Sequence, residues 1–218
     1  MRVCLASTSP ARLMLLRQAG IEPLTLAPDV DEDAVGAAAA AEGGAPLAPA
    51  ELVLLLARAK AADVARRLPA LHPDFDGIVI GGDSMFALGG QVYGKPYTPE
   101  AARERWRLMR GATGVLHSGH SVLRVSPGSE PVEATAVAEA SVTFADDLAD
   151  AEVDAYIATG EPLLVAGAFT VDSLGGAFIT RVEGDPSTVV GMSLSTLRTL
   201  AGKLGVTWTD LWNAPVGS

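Results

Sequence analysis

The chain has 218 residues, 49% hydrophobic and 19% charged, enough for one large α/β domain or two small lobes sharing a cleft. A net charge of −10 excludes a general nucleic-acid surface, which needs a basic face, yet allows a small anionic ligand where the few cations converge. A single cysteine excludes an intramolecular disulfide and a cysteine-rich metal site. No apolar run reaches the ~20 residues that span a bilayer, and Ser7 to Pro10 interrupt the apolar N-terminus too early for a signal segment. A soluble cytoplasmic protein with no membrane partner is expected.

Residues 2–6 read as a short apolar strand that meets a helix carrying Leu13, Leu16 and Ala19 on one face. Between them Ser9 suits the N-cap and Pro10 the first helical position. The turn therefore aims hydroxyls, backbone N–H groups and the Arg12 cation at one spot, an arrangement that favours phosphate. Ser-Pro caps are also common as purely structural features. Residues 24–27 read as a strand leading into the acidic run Asp29, Asp31, Glu32 and Asp33. Residues 36–49, rich in Ala, Gly and Pro, predict a loop or connector, in which the Ala run could form a helical turn. Residues 51–68 are a strong helix, and 69–76 a turn-rich break.

Residues 77–82 predict a buried strand, followed by a hairpin of 85–88 and 91–93 around Gly89-Gly90. Residues 99–110 form a helix with Trp106 and Met109 on its core face; 115–125 and 132–144 are long strands. A helix over 149–159 stops at Gly160, a strand covers 177–182, and 192–204 is the last helix. No repeat or clean linker appears, so a single domain over 1–218 is expected. Its hairpins argue for a mixed sheet.

Asp83 follows the strand of residues 77–82, at the place where open α/β sheets hold ligands. It reads either as a general base or metal ligand, or as a cap of the turn into the hairpin. Lys95 lies just past that hairpin, where it could return to the same cleft or remain a solvated loop residue. Lys60, among small residues, could approach a phosphate, although an exposed helix face gives the same pattern. Glu32 and its acidic neighbours suit a hard divalent cation, or form a solvated loop. His117 and His120 lack convincing metal spacing and read as surface or core residues. Trp106, Trp208 and Trp212 read as packing residues, and residues 181–187 as a polar turn that borders a ligand or simply closes a loop. Phosphate donors, carboxylates and two lysines together fit metal-assisted hydrolysis of a phosphoanhydride. The G-x-x-x-x-G-K-[ST] phosphate loop is absent, which disfavours an ordinary kinase or ATPase.

In order, Leu5-Ala6-Ser7-Thr8-Ser9-Pro10-Ala11-Arg12, Ala59-Lys60-Ala61, Gly82-Asp83-Ser84 and Gly94-Lys95-Pro96 resemble motifs of the Maf family of nucleoside triphosphate pyrophosphatases. Gly160-Glu161-Pro162-Leu163, Ala166-Gly167-Ala168-Phe169, Leu174-Gly175-Gly176 and the run from Gly184 to Leu194 continue the match over nearly the whole chain. The resemblance implies a mixed, twisted α/β sheet flanked by helices, with two lobes around a central cleft, as in Maf and inosine triphosphate pyrophosphatase folds. It also implies cleavage of a nucleoside triphosphate to monophosphate and pyrophosphate, a divalent metal (Mg²⁺ or Mn²⁺), and a homodimer. On this mapping Asp83 is the proton acceptor. Ser7, Ser9, Arg12, Lys60 and Lys95 fall on phosphate positions, and Glu32 with Asp83 on the metal. Ala11 and Ser84 depart from the family's usual Arg and Thr, and Asp172 from the glutamine of the subgroup that cleaves dTTP and UTP, so all three bear on base choice. A nucleotide-binding regulator of cell division, with little turnover, is the alternative that the resemblance carries.

Overall fold

The computed structural model describes residues 1–213; positions 214–218, where the expected domain ends, lie outside the described residues. Strand β1 (Arg2–Ala6) runs parallel to β2 (Leu24–Thr25) on one side and to β3 (Gly77–Leu88) on the other. Antiparallel β5 (Thr113–Val125), β6 (Val132–Phe144) and β7 (Ile179–Gly184) follow, so the sheet order is β2-β1-β3-β5-β6-β7. A short β4 (Gln91–Tyr93) pairs with the far end of β3. The expected mixed sheet is present.

Strand alternation divides the first half of the sheet between two cores. Val3, Leu5, Ile78 and Ile80 pack beneath helices α1 (Pro10–Gln18) and α7 (Leu194–Lys203). Cys4, Ala6 and Val79 face the opposite way, under α3 (Pro49–Leu71), whose Ala61, Val64 and Leu68 cover them. The second half of the sheet packs on α4 (Pro99–Met109) and α5 (Asp150–Ala158) through an aromatic core. There Trp106 meets Phe144 and Tyr156 edge-on at 5.6 and 5.7 Å, and its indole N–H donates to the Ala168 carbonyl at 2.9 Å. Edge-to-face pairs of this kind add ~0.5–1.5 kcal/mol each beyond the area they bury.

The approach of α3 to the sheet needs glycine at two places. A Cβ at Gly119 would strike the Val53 carbonyl, and one at Gly81 the Ala57 carbonyl. The helix backbone therefore rests directly on β3 and β5, and this closeness sets the depth of Lys60.

Several expectations are corrected. Residues 36–49 are mostly helix, within α2 (Glu32–Gly43); Asp31 caps it by accepting from the Ala34 N–H at 2.9 Å, and Gly44 ends it in the left-handed region. The strand expected over 24–27 is only two residues long, and α3 continues through Pro69, beyond the expected break. Asp83 does not follow a strand; it lies inside the twelve-residue β3. Trp212 is 53% exposed and lies against Gly20 outside the core clusters. Strand β7 begins two positions later than expected, so 181–184 belong to a strand and Asp185 caps α6 (Pro186–Val190). Among the described residues no helix is long and apolar enough to cross a membrane.

Candidate active site

The mid-strand position of Asp83 has a topological cause. On one edge of β3 the β5 partner runs unbroken from Gly77 to Ala87. On the other edge β1 leaves off at Gly81 and β4 begins only at Phe86. The sheet forks there, and Gly82 to Met85 have no strand neighbour on that side. A cleft of about 530 Å³ opens at the fork, within the ~300–1,000 Å³ usual for small-ligand sites. All ten residues singled out in the sequence line it: Ser7, Ser9, Ala11, Arg12, Glu32, Lys60, Asp83, Ser84, Lys95 and Asp172.

At the floor, Lys60 lies on the buried stripe of α3 between Leu56 and Val64. Its ammonium donates to Asp83 Oδ1 at 2.7 Å and meets Glu32 Oε1 at 2.8 Å. The Lys60 and Asp83 side chains are nearly enclosed, 8% and 10% exposed, whereas Glu32 is half open at 51%. Burial pushes the Asp83 carboxyl above its ordinary value, with the charges of Lys60 and Arg12 opposing. A carboxylate so placed holds a proton more readily than one in water.

Arg12 projects from the first turn of α1. Ser9 caps that helix, its Oγ accepting from the Arg12 N–H at 3.4 Å. The guanidinium donates through Nε to the Gly191 carbonyl at 2.9 Å, to Ser84 Oγ at 3.1 Å and to Ser7 Oγ at 3.4 Å. These bonds engage three of its five N–H donors, leaving two for a ligand. Ser7 Oγ also accepts from the Ser9 N–H at 3.1 Å, so its own O–H stays free to donate. Burial lowers the Arg12 pKa, opposed by Asp83 and Glu32; a guanidinium nevertheless remains charged.

Apart from Ser84, the sequence reading assigned no role to the groups that brace this fork. Ser84 Oγ donates to Gly191 O at 2.9 Å and lies 2.8 Å from Ser118 Oγ, and Ser118 in turn donates to Thr188 O at 3.2 Å. Asp185 collects Ser187 Oγ and Ser193 Oγ at 2.6 Å and Ser195 Oγ at 2.7 Å, fastening the turn that presents Gly191. Burial would raise its pKa, but these hydroxyls outweigh it and hold Asp185 well below the usual carboxylate range. Buried His120 accepts from the Ser193 N–H at 2.8 Å. Glu161 similarly gathers Tyr156 OH at 3.0 Å, Ser173 Oγ at 2.8 Å and the Gly175 N–H at 3.2 Å, ordering the loop that carries Asp172. The advance signals were the polar turn of residues 181–187 and the motifs around Glu161 and Asp185, whereas Ser118, between His117 and Gly119, had none. Lys95 and Asp172 reach the cleft from exposed loops.

Among the described residues no group of three or more His, Cys, Asp or Glu could enclose a metal ion. Glu32 and Asp83 nevertheless converge on one cation, the Lys60 ammonium. Two hard carboxylates suit a magnesium-like ion, which typically takes one or two carboxylates and completes its shell with water and phosphate.

A forked α/β sheet with buried opposite charges and a capped, cationic helix start at the fork suits the binding of phosphorylated small molecules. The family model of Maf-like proteins matches residues 2–204, and the chain belongs to the Maf family. A nucleoside triphosphate pyrophosphatase of Leifsonia xyli subsp. xyli is 61% identical over 98% of this chain and 97% of its own. Another, of Nocardia farcinica, is 51% identical over 97% and 96%. The Ham1 protein of Staphylococcus aureus, a solved structure, shares 12% identity over 67% of this chain and 73% of that one, with a TM-score of 0.34, a likeness too slight to bear on function.

Proposed function

We propose that this chain hydrolyses nucleoside triphosphates at the α–β phosphoanhydride, releasing the monophosphate and pyrophosphate, with Asp83 as general base. The reading includes one domain of two lobes sharing the cleft. The observation that carries it is the buried Lys60–Asp83 pair beside the Arg12 fork in a single cavity. A protein that only binds nucleotides has no need of a buried carboxyl whose ionised form is disfavoured. The names of relatives matching almost the full chain agree with this activity.

In this scheme Arg12, the Ser7 hydroxyl and the Ala11 N–H take the phosphate chain, with Lys95 reaching it from the opposite loop. Lys60 holds Asp83 through Oδ1, leaving Oδ2 to take the proton of the attacking water. Mg²⁺ or Mn²⁺ held by Glu32 and Asp83 would neutralise phosphate charge. Asp172 stands where subgroup members that cleave dTTP and UTP carry glutamine. An ionised aspartate only accepts hydrogen bonds, so a base presenting an exocyclic amine is favoured over a pyrimidine edge rich in acceptors.

The test is pyrophosphate release from a panel of standard and modified nucleoside triphosphates with either metal, for wild type and Asp83→Asn. The variant is expected to remain folded and to lose roughly 10²–10⁴-fold in rate. Turnover by Asp83→Asn at the wild-type rate would remove Asp83 from the role of base. A wild type inactive on the whole panel would end the reading.

A further inference from the structure

Tyr97, on the loop of residues 94–97, is not accounted for by the packing of the protein. It lines the cleft, yet it is 67% exposed. Its φ is +60°, in the left-handed region that bulky side chains avoid. The next N–H, of Thr98, donates back to the Pro96 carbonyl at 2.7 Å, so Tyr97 is the apex of a positive-φ γ-turn, a rare and strained form.

The surroundings hold that turn in place from three sides. Pro96 is buried, Thr98 caps α4 by accepting from the Ala101 N–H at 3.2 Å, and the Tyr97 N–H donates to the Leu163 carbonyl at 3.0 Å. Glycine would occupy this apex without strain. A tyrosine there adds a conformational cost with no buried contact in return. Strain sustained in this way at the mouth of a cleft marks a residue whose compensating contact is a ligand.

We infer that the Tyr97 ring is a stacking platform for the nucleobase, holding it at the mouth of the cleft while the phosphates lie toward Arg12 and Lys60. The inference rests on the proposed nucleoside triphosphate substrate. The aromatic ring lines the same cavity as the apolar Val92 and Leu164. Stacking accepts every base, so Tyr97 contributes affinity while Asp172 contributes discrimination. Neither the phosphates nor a metal has use for such a ring.

The experiment compares wild type with Tyr97→Gly, Tyr97→Ala and Tyr97→Phe, reading calorimetric binding of a non-hydrolysable nucleoside triphosphate, binding of inorganic tripolyphosphate, and melting of the free protein. Glycine and alanine are expected to weaken nucleotide binding roughly 5- to 100-fold, the range for loss of one base–aromatic stack, while phenylalanine retains it. Tripolyphosphate binding should be the same in all four. Tyr97→Gly should melt no lower than wild type, because it releases the strained turn, and above Tyr97→Ala, which keeps the strain. A merely structural tyrosine would instead lose melting temperature and affinity together. That result, unchanged nucleotide affinity in the glycine variant, or equal weakening toward tripolyphosphate would overturn the inference. Dissociation of a wild-type dimer to monomers in the glycine variant would overturn it too, since the ring would then be packing against a second copy. If the wild type binds nucleotide but releases no pyrophosphate, the proposed activity fails while the stacking result stands.

Discussion

Acid should loosen the turn behind the candidate cleft through one histidine. His120 is fully buried on β5, and its Nε2 accepts the Ser193 N–H at 2.8 Å, which requires the neutral form protonated at Nδ1. Nδ1 has no hydrogen-bond partner among the described residues. Burial, and then the Arg12 charge, push His120 down from 6.5 to about 4; the carbonyls of Ala136 and Ser118 and the Asp185 carboxylate oppose this only in part. In the unfolded chain the imidazole returns to its ordinary value. Between pH 6.5 and about 4 the unfolded state therefore binds more protons, so stability falls as pH falls. Each pH unit in that window is worth about 1.4 kcal/mol, giving a total loss of roughly 3 kcal/mol that is complete below the lower limit. Asp185 titrates beneath the window. Its depressed carboxyl adds stability that is lost only on further acidification.

The assay is urea unfolding followed by tryptophan fluorescence at pH steps from 7 down to about 4, for wild type and His120→Gln. Glutamine still offers an acceptor to Ser193 but does not titrate, so the difference in slope between the two proteins isolates the imidazole from the surface carboxylates. Equal slopes, or an NMR titration of His120 with a midpoint near its ordinary value, would refute the reasoning.

Arg12→Lys keeps the charge but loses the planar fork that spans Gly191, Ser84 and Ser7, and kcat/KM is expected to fall roughly 10- to 100-fold, with little dependence on the base. Loss of base preference without loss of affinity would contradict this. Lys60→Met leaves Asp83 buried beside Glu32 without its cation, and should cost about 3 kcal/mol of unfolding free energy at neutral pH. Part of that loss should return on mild acidification, because the folded state then takes up the proton. A loss relative to wild type that is the same at every pH would show that Asp83 is not the strained group. Asp172→Gln should shift relative kcat/KM toward dTTP and UTP; a wild type that already prefers these two, with no change in the variant, would remove Asp172 from base selection.

Much of the site was legible because local chemistry prescribes it. Ser9, Pro10 and Arg12 start a helix by rules that need no tertiary information, and α1 begins there. Helix α2 was legible too: Asp31 at the cap, Glu32 and Asp33 in the first turn and Gly44 past the end are ordinary signals, outweighed in the reading by the Ala and Gly composition between them. Asp83 was misplaced for another reason. Gly81-Gly82 looks like the end of a strand, but Gly81 is there because α3 lies against it, a demand made by an element twenty residues earlier in the chain. Lys60 falls on the stripe of Leu56 and Val64, so the period of the helix already put a charge in the core; its partners, Asp83 on the sheet and Glu32 at the start of α2, are set only by the tertiary fold. The Gly191 carbonyl, which holds both Arg12 and Ser84, has no side-chain signature at all.

The charge lining the cleft bears on what must accompany the substrate. Arg12, Lys60 and Lys95 face Glu32, Asp83 and Asp172, three cations against three carboxylates. Lys60 is already engaged by two of those carboxylates, and three of the Arg12 donors are bound to protein. Within a chain of net charge −10, the cleft therefore offers a triphosphate good hydrogen-bond geometry but little net positive field. On the proposed reading, counter-charge arrives with the nucleotide. A half-open Glu32 beside a nearly enclosed Asp83 suits that need, since one carboxylate can turn outward to a cation carried on the phosphates while the other stays fixed by Lys60. The neutral balance of the site is thus consistent with a metal–nucleotide complex as the species that binds.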